Sequence, residues 1–337
     1  MVLVELAKAL HVPVWALRGF LAPLVYPGLV ALLGTVLFLI WAERKMAARV
    51  QQRVGPYYVS PKLRGALQLI ADGARFALQE IIVHVETDRL MFVLGPILTF
   101  TFLSLPFTVL PGGPGIYGFR SDFSMVIVYA LLTLSPITVI LMGWASSNKF
   151  AMIGGGREAL LTVSGEITLA LAMLSVAAMY GTLDFVTAVE KQVHTGIIGL
   201  VSNPIAALLF FLAMLLLTDR VPFDIVLGEQ EIVQGPYTEY SGVLYALTMA
   251  IDYAKLYALS IAFTLLFLGG WAPFTTPLLG AISVYIKSLI VLLFSVFLRS
   301  VYGRMRLDHA MNFFWARLFP LGFIALALGV FVHVIYA

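Results

Sequence analysis

The sequence contains no cysteine. That excludes disulfides, cysteine-ligated iron–sulfur clusters and thiolate nucleophiles from this chain. Charge is scarce as well: 12% of the 337 residues are charged and 61% are hydrophobic. Soluble domains carry about 25% charged residues, so the composition is that of an integral membrane protein. The five histidines, His11, His84, His194, His309 and His333, are isolated, and none lies four residues from another to make a helical zinc pair. They read as structural or exposed side chains rather than ligands, and no metal is expected. There is no internal repeat and no low-complexity linker. The net charge of +3 is too small, and too close to hydrophobic runs, to point to nucleic acid; orientation in a membrane explains it better.

What is present is a series of long apolar runs. Eight segments are long enough to cross about 30 Å of hydrocarbon, at roughly 24–42, 90–110, 123–145, 159–180, 197–217, 243–268, 278–298 and 313–336. The expected fold is all-α: a single integral-membrane domain over 1–337, built as a bundle of about eight transmembrane helices. With odd-to-even loops on one side, that side holds fifteen of the 21 Lys and Arg residues, and the other holds four: Lys8, Arg18, Arg120 and Lys191. The positive-inside rule then places the basic loops in the cytoplasm and both termini outside, in a cell membrane. The first twenty residues are broken by Glu5, Lys8 and His11 and have no evident cleavage site. They read as an amphipathic helix on the outer surface rather than a signal peptide.

The long first cytoplasmic loop contains a second, non-spanning helix at about 62–82. Leu63, Leu67, Ile70, Ala74, Ala77 and Ile81 make an apolar stripe, and Arg64, Gln68, Asp72, Arg75 and Gln79 a polar one. Such a helix lies at the membrane interface. It is either a plain anchor or a polar wall in which Asp72 and Arg75, one turn apart, face another part of the protein.

The most charged segment runs from Asp219-Arg220-Val221-Pro222-Phe223-Asp224 through Glu229-Gln230-Glu231 to Glu239-Tyr240-Ser241-Gly242, with five carboxylates between two apolar spans. Carboxylates crowded at a bilayer boundary resist simultaneous ionisation and can store, pass or sense protons. The alternative is a solvated loop. Inside the spans stand Glu166, Asp252, Lys255 and Lys287, with Glu158 nearer a helix end. A charge at mid-bilayer costs at least about 2.5–3.5 kcal/mol, so such residues face the bundle interior and mark ion or proton paths. Asp252 and Lys255 share a helix face and also suit a neutralised structural pair. Glu166 has no basic residue within a turn, so its partner must come from another helix. Glu43 and Lys45 read as snorkelling residues at the end of the first span. Pro27, Pro96, Pro106, Pro136, Gly165 and Pro204 interrupt the spans, as they would around a hydrated interior path or in ordinary kinked helices.

Several blocks in order resemble one family. These are Glu43-Arg44-Lys45, Gln52-Arg53-Val54-Gly55-Pro56 and Gln68-Leu69-Ile70-Ala71-Asp72; Gly143-Trp144-Ala145-Ser146-Ser147-Asn148-Lys149-Phe150 with Gly154, Arg157 and Glu166; the acidic segment; and Leu298-Arg299, Arg304, Arg306-Leu307-Asp308 and Trp315. Over nearly the whole chain they are similar to the family of the membrane-embedded H subunit of proton-pumping NADH–quinone oxidoreductase, respiratory complex I. The resemblance implies a subunit at the junction of membrane and hydrophilic arms that forms much of a quinone chamber, with quinone as substrate. It implies hydrophilic iron–sulfur and quinone-site subunits, small membrane subunits and antiporter-like subunits as partners. By similarity, Arg44, Arg53, Asp72, Arg75 and Asp224 shape the quinone path. Glu166, Glu229, Glu231, Glu239, Asp252 and Lys255 belong to the route that couples quinone chemistry to proton translocation. Two positions depart from the family pattern: Leu227 stands where a carboxylate is usual, and Asp252 where a glutamate is common. Related anchors of membrane-bound hydrogenases, and secondary transporters with broken helices, are the alternative classes.

Overall fold

The structure, a computed structural model, describes residue 19 and residues 21–336. The expected outer-surface helix of the first twenty residues lies outside them, Gly19 apart, and so does the side chain of Glu229. The described residues are helical throughout, apart from connecting turns and one isolated antiparallel bridge between Gly113 and Ile116. Ten helices matter for the site: α1 (Leu29–Val50), α2 (Gln68–Leu78), α3 (Arg89–Ser104), α4 (Ser124–Ala145), α5 (Lys149–Tyr180), α6 (Phe185–Thr195), α7 (Pro204–Leu217), α8 (Gly242–Phe267), α9 (Pro277–Val301) and α10 (Phe319–Tyr336).

Seven helical stretches among the described residues have the length and hydropathy to cross a membrane. They match the expected spans except the fifth. The run at 197–217 is not one helix. Asn203 leaves helical geometry, its side chain accepts from the Ala206 amide at 3.1 Å, and Pro204 opens α7 without an amide hydrogen. A short turn at Gly199–Ser202 precedes the break. The 14 residues of α7 rise about 21 Å, less than the roughly 30 Å of a hydrocarbon core. Asn203 also donates to the Ala325 carbonyl on α10 at 2.9 Å, which ties the break to a neighbouring span.

α5 starts ten residues before the expected 159, because Asn148 caps it by accepting from the Phe150 amide at 2.8 Å. That extra length carries Arg157 and Glu158 into the helix. α5 packs against α4, α7 and α10 and is the mast of the bundle. Two glycines permit its close contacts. A Cβ at Gly165 would lie 2.9 Å from Leu216 of α7, and one at Gly154 would lie 2.7 Å from the Gly235 α-carbon. At Gly154 the obstacle is backbone, which cannot yield. Gly154→Ala is expected to destabilise the protein by about 1–3 kcal/mol, read as a lower unfolding temperature of the purified assembly.

α2 spans Gln68–Leu78, not 62–82. Residues 61–67 form turns, and Gln79 turns extended (ψ 139°). The apolar stripe is exposed at Leu63, Leu67 and Ile70, as an interfacial helix requires.

Lys287 of α9 forms no ion pair with a carboxylate among the described residues. Its ammonium donates to the carbonyls of Leu268, Gly270 and Ala272 at 2.8, 2.9 and 2.7 Å. All three lie in the α8–α9 connection, which identifies Lys287 as the clasp of that turn.

Candidate functional site

At the charge-rich end of the bundle, α1, α2, α8 and the end of α9 enclose a cavity of about 860 Å³. Its deeper wall is apolar, with Leu33, Val36, Leu37 and Ile40 from α1 and Met249 from α8. Its upper wall is polar, with Glu43, Arg44, Arg53, Asp72, Arg75, Tyr253 and Arg299. Of the five residues assigned to the quinone path, Arg44, Arg53, Asp72 and Arg75 therefore meet in one place. Asp224 is not in that lining. Its charge acts instead on Asp219 and Asp252, on the other side of Arg220.

The helix α2 is pinned over the cavity by charge. Arg44 donates to Asp72 at 2.8 Å, and Gln68 donates to the other carboxylate oxygen at 3.0 Å. Desolvation alone would raise the Asp72 carboxyl; the bonds from Gln68 and Arg44, with the charges of Arg44 and Arg75, outweigh it and hold it below its ordinary value. A depressed carboxylate contributes stability above its unfolded pKa of about 3.9. That contribution is lost as pH falls through the lower folded value. Arg44 is half exposed, so the effect is at most about 1 kcal/mol. Amide exchange in α2 is expected to be steady near neutral pH and to rise only below about pH 4.

Glu43 is not a snorkelling boundary residue. It is 7% exposed and sits on the inner side of α1. One oxygen accepts from Arg220 at 3.0 Å and from the Tyr253 hydroxyl at 2.9 Å. The other oxygen is paired with Arg299. The Arg220 guanidinium lies 4.3 Å from the centre of the Tyr253 ring, a cation–π contact that helps hold it in place. Snorkelling fails here because the loop after α7 and the end of α9 bring two guanidiniums inward. One carboxylate against two guanidiniums leaves positive charge in the cavity wall. Arg53 and Arg75 add to it, since neither forms an ion pair among the described residues.

Behind Arg220 lies the second half of the site. Asp219, Asp224 and Asp252 act on one another electrostatically, with Glu158 of α5 and Lys255 of α8. Lys255 is 5% exposed, and its charge also reaches Glu166. Lys255 thus acts on Glu166 from another helix through its charge, with no ion pair between them among the described residues. One Glu166 oxygen is buried without a hydrogen-bond partner. Thr162 donates to Glu158 at 3.2 Å, and Tyr237 approaches Asp252 at 3.5 Å. Asp252 and Lys255 do not form a simple ion pair; both belong to this larger cluster. Asp219, on the loop, has its carboxyl pushed well up, first by burial and then by Glu158 and Asp252.

Glu231 and Glu239 stand apart from the cluster. Glu231 is 54% exposed at its side chain and pairs with Arg157 at 2.7 Å and Arg304 at 3.6 Å. The bond from Arg157 is the main reason its carboxyl is held down. Glu239 pairs with His84 at 2.8 Å and accepts from Asn148, the cap of α5. These pairs fasten the acidic segment to α5 and to the α2–α3 loop. Its other anchor is Phe223, packed on Phe313 and Phe314 with ring centres at 6.5 and 5.3 Å.

Arg220, Asp219, Arg299 and Tyr253 carried no individual assignment in the sequence. The available signal was the Asp219-Arg220 dipeptide at the mouth of an apolar run, where an arginine can act as counterion to more than one acid.

Fold and site together define a polytopic membrane protein that holds an amphiphilic, arginine-rich cavity beside a buried set of carboxylates. Residues 25–330 match the sequence model of the NADH dehydrogenase family. Over 304 residues the chain is 36% identical to the H subunit of the NADH-quinone oxidoreductase of Carboxydothermus hydrogenoformans, covering 89% of this chain and 86% of that protein. It is likewise 36% identical over 305 residues to the H subunit of the same enzyme from Geobacillus thermodenitrificans, covering 89% and 90%. The chain belongs to the NADH dehydrogenase family.

Proposed function

We propose that this chain is the quinone-admitting membrane subunit of a complex I-like oxidoreductase, and that it couples quinone reduction to proton translocation. The observation that carries this reading is the position of Arg220. It binds Glu43 in the cavity wall, and its charge acts on Asp252 in the carboxylate cluster. The apolar lower wall suits an isoprenoid tail, and the arginine-rich upper wall suits an oxygen that gains negative charge. Electrons come from partner subunits, because a chain without cysteine offers no thiolate to an iron–sulfur cluster. Negative charge on the quinone draws the Arg44, Arg220 and Arg299 side chains toward it. Positive charge withdrawn from Asp252 favours proton uptake by the cluster, which then acts on Glu166 through Lys255. The basic loops face the cytoplasm of a cell membrane, following the excess of Lys and Arg on that side. Hydrophilic iron–sulfur and quinone-site subunits meet the charge-rich end, and small membrane and antiporter-like subunits flank the bundle.

A photoreactive quinone applied to the intact complex tests this. Cross-links to α1, α2 or α8 residues of the cavity are the expected result. Cross-links elsewhere on this chain, with the cavity unlabelled at saturating probe, would overturn it.

A further inference from the structure

A second pocket lies beside the first, on the other side of α1. It encloses about 440 Å³, and its described lining carries Lys45, Arg49, Arg53 and Arg64 but no acidic side chain. None of these four forms an ion pair among the described residues. Residues three and four apart share a helix face. Val36, Ile40, Glu43 and Ala47 face the first cavity, whereas Phe38, Trp41, Lys45 and Arg49 make a stripe on the opposite face. Phe38 is exposed and its ring lies 6.0 Å from that of Trp41. Trp41 donates to the Arg64 carbonyl at 3.3 Å, which holds the basic loop down on the helix. Read from the bilayer outward, this face presents an aromatic of the hydrocarbon region, an interfacial tryptophan and then unneutralised cations. Tryptophan marks the headgroup level, and basic pockets at that level are matched to anionic headgroups.

We propose that Lys45, Arg49 and Arg64 hold the phosphodiester of an anionic phospholipid, with its acyl chains laid along Phe38 and Trp41. Arg53 borders both pockets, but Lys45, Arg49 and Arg64 do not line the quinone cavity, and occupancy of this site does not depend on the reading of that cavity. A lipid is favoured over an acidic protein segment because the cations continue a lipid-facing stripe. It is favoured over free phosphate because that stripe provides for acyl chains.

The test uses the intact complex, stripped of loosely held lipid and exchanged into phosphatidylcholine nanodiscs containing phosphatidylglycerol, with retained lipid read by native mass spectrometry. The wild-type complex is expected to retain phosphatidylglycerol selectively. Lys45→Gln with Arg49→Gln should weaken retention roughly thirtyfold, at about a kilocalorie per cation, and Arg49→Lys should preserve it. Arg64→Gln, on the loop, should reduce retention without altering the spanning helix. Equal retention by wild type and the double variant would overturn the proposal. So would displacement of the lipid by millimolar inorganic phosphate, which marks a free-anion site. Loss of a hydrophilic subunit with lipid retention unchanged would also overturn it, by assigning the pocket to an acidic protein surface.

Discussion

Arg220→Met is expected to abolish most quinone reduction. The guanidinium is 4% exposed and bonded to Glu43. Its removal leaves a buried carboxylate facing only Arg299 and the Tyr253 hydroxyl. Removing one partner of a buried ion pair costs about 3–5 kcal/mol, since the remaining charge keeps its desolvation penalty. If even 3 kcal/mol of that appears at the quinone site, the rate falls about hundredfold. The measurement is the quinone reductase rate of assembled complex, beside its unfolding temperature. The pair also makes a double-mutant cycle. Glu43→Gln together with Arg220→Met should recover part of the stability lost in Arg220→Met alone, because the buried half-compensated carboxylate is gone and Arg299, with its side chain 43% exposed, can be solvated. A rate within a few fold of wild type in Arg220→Met would show that the arginine neither shapes the cavity nor transmits its charge.

Glu166→Gln is expected to separate the two activities. Glutamine keeps the shape of the side chain and cannot carry a proton. One glutamate oxygen is buried without a hydrogen-bond partner, so an amide there does not break a bond network. Assembly and quinone reduction should persist. The number of protons moved per quinone reduced, measured in proteoliposomes, should fall. A normal ratio in an assembled variant would remove Glu166 from the route. Lys255→Met is the companion change. It withdraws the cation shared by Glu158, Glu166 and Asp252, so it should disturb both activities.

The two variants probe different links. Arg220 joins a ligand cavity to a titratable cluster. Glu166 lies two turns further along α5 than Glu158 and outside the loop region. Coupling through such groups needs two states whose balance both ends can shift. A guanidinium shared between a carboxylate and a substrate oxygen is such an element.

Much of this molecule was legible before any coordinates. Hydrophobic run length is a local property, so the spans at 90–110, 123–145, 243–268 and 278–298 agree closely with the helical stretch Arg89–Val109, which includes α3, and with α4, α8 and α9. The interfacial helix was legible from its two stripes. Its ends were not, because turns at 61–67 end the helix where the stripe pattern continues. The split of 197–217 turned on Asn203 capping a helix, and an asparagine beside a proline is compatible with a kink as well as a break.

The site followed the same division. Arg44, Asp72 and Arg75 were grouped by resemblance, and only the pairing of Asp72 with Arg75 on one face was also visible in the helix period; the fold brings all three to one cavity. Glu43 was misread because its partners, Arg220 and Arg299, are 177 and 256 residues away, and no local pattern announces a distant counterion. Glu231 and Glu239 were grouped with Glu166 and Asp252 by resemblance, while the fold puts Glu231 in an exposed pair with Arg157 and Glu239 in a partly buried contact with His84 and Asn148.

The sequence by itself determined a membrane bundle, its alternation of basic and apolar segments, and which acids are costly enough to matter. Each of these depends on transfer free energies that belong to residues and short windows. Only the tertiary structure decided which charged side chains line one cavity, which arginine binds Glu43 there, and which residues of α1 line each of the two pockets beside it. Electrostatic energy depends on distance and burial, and neither exists until the helices have packed.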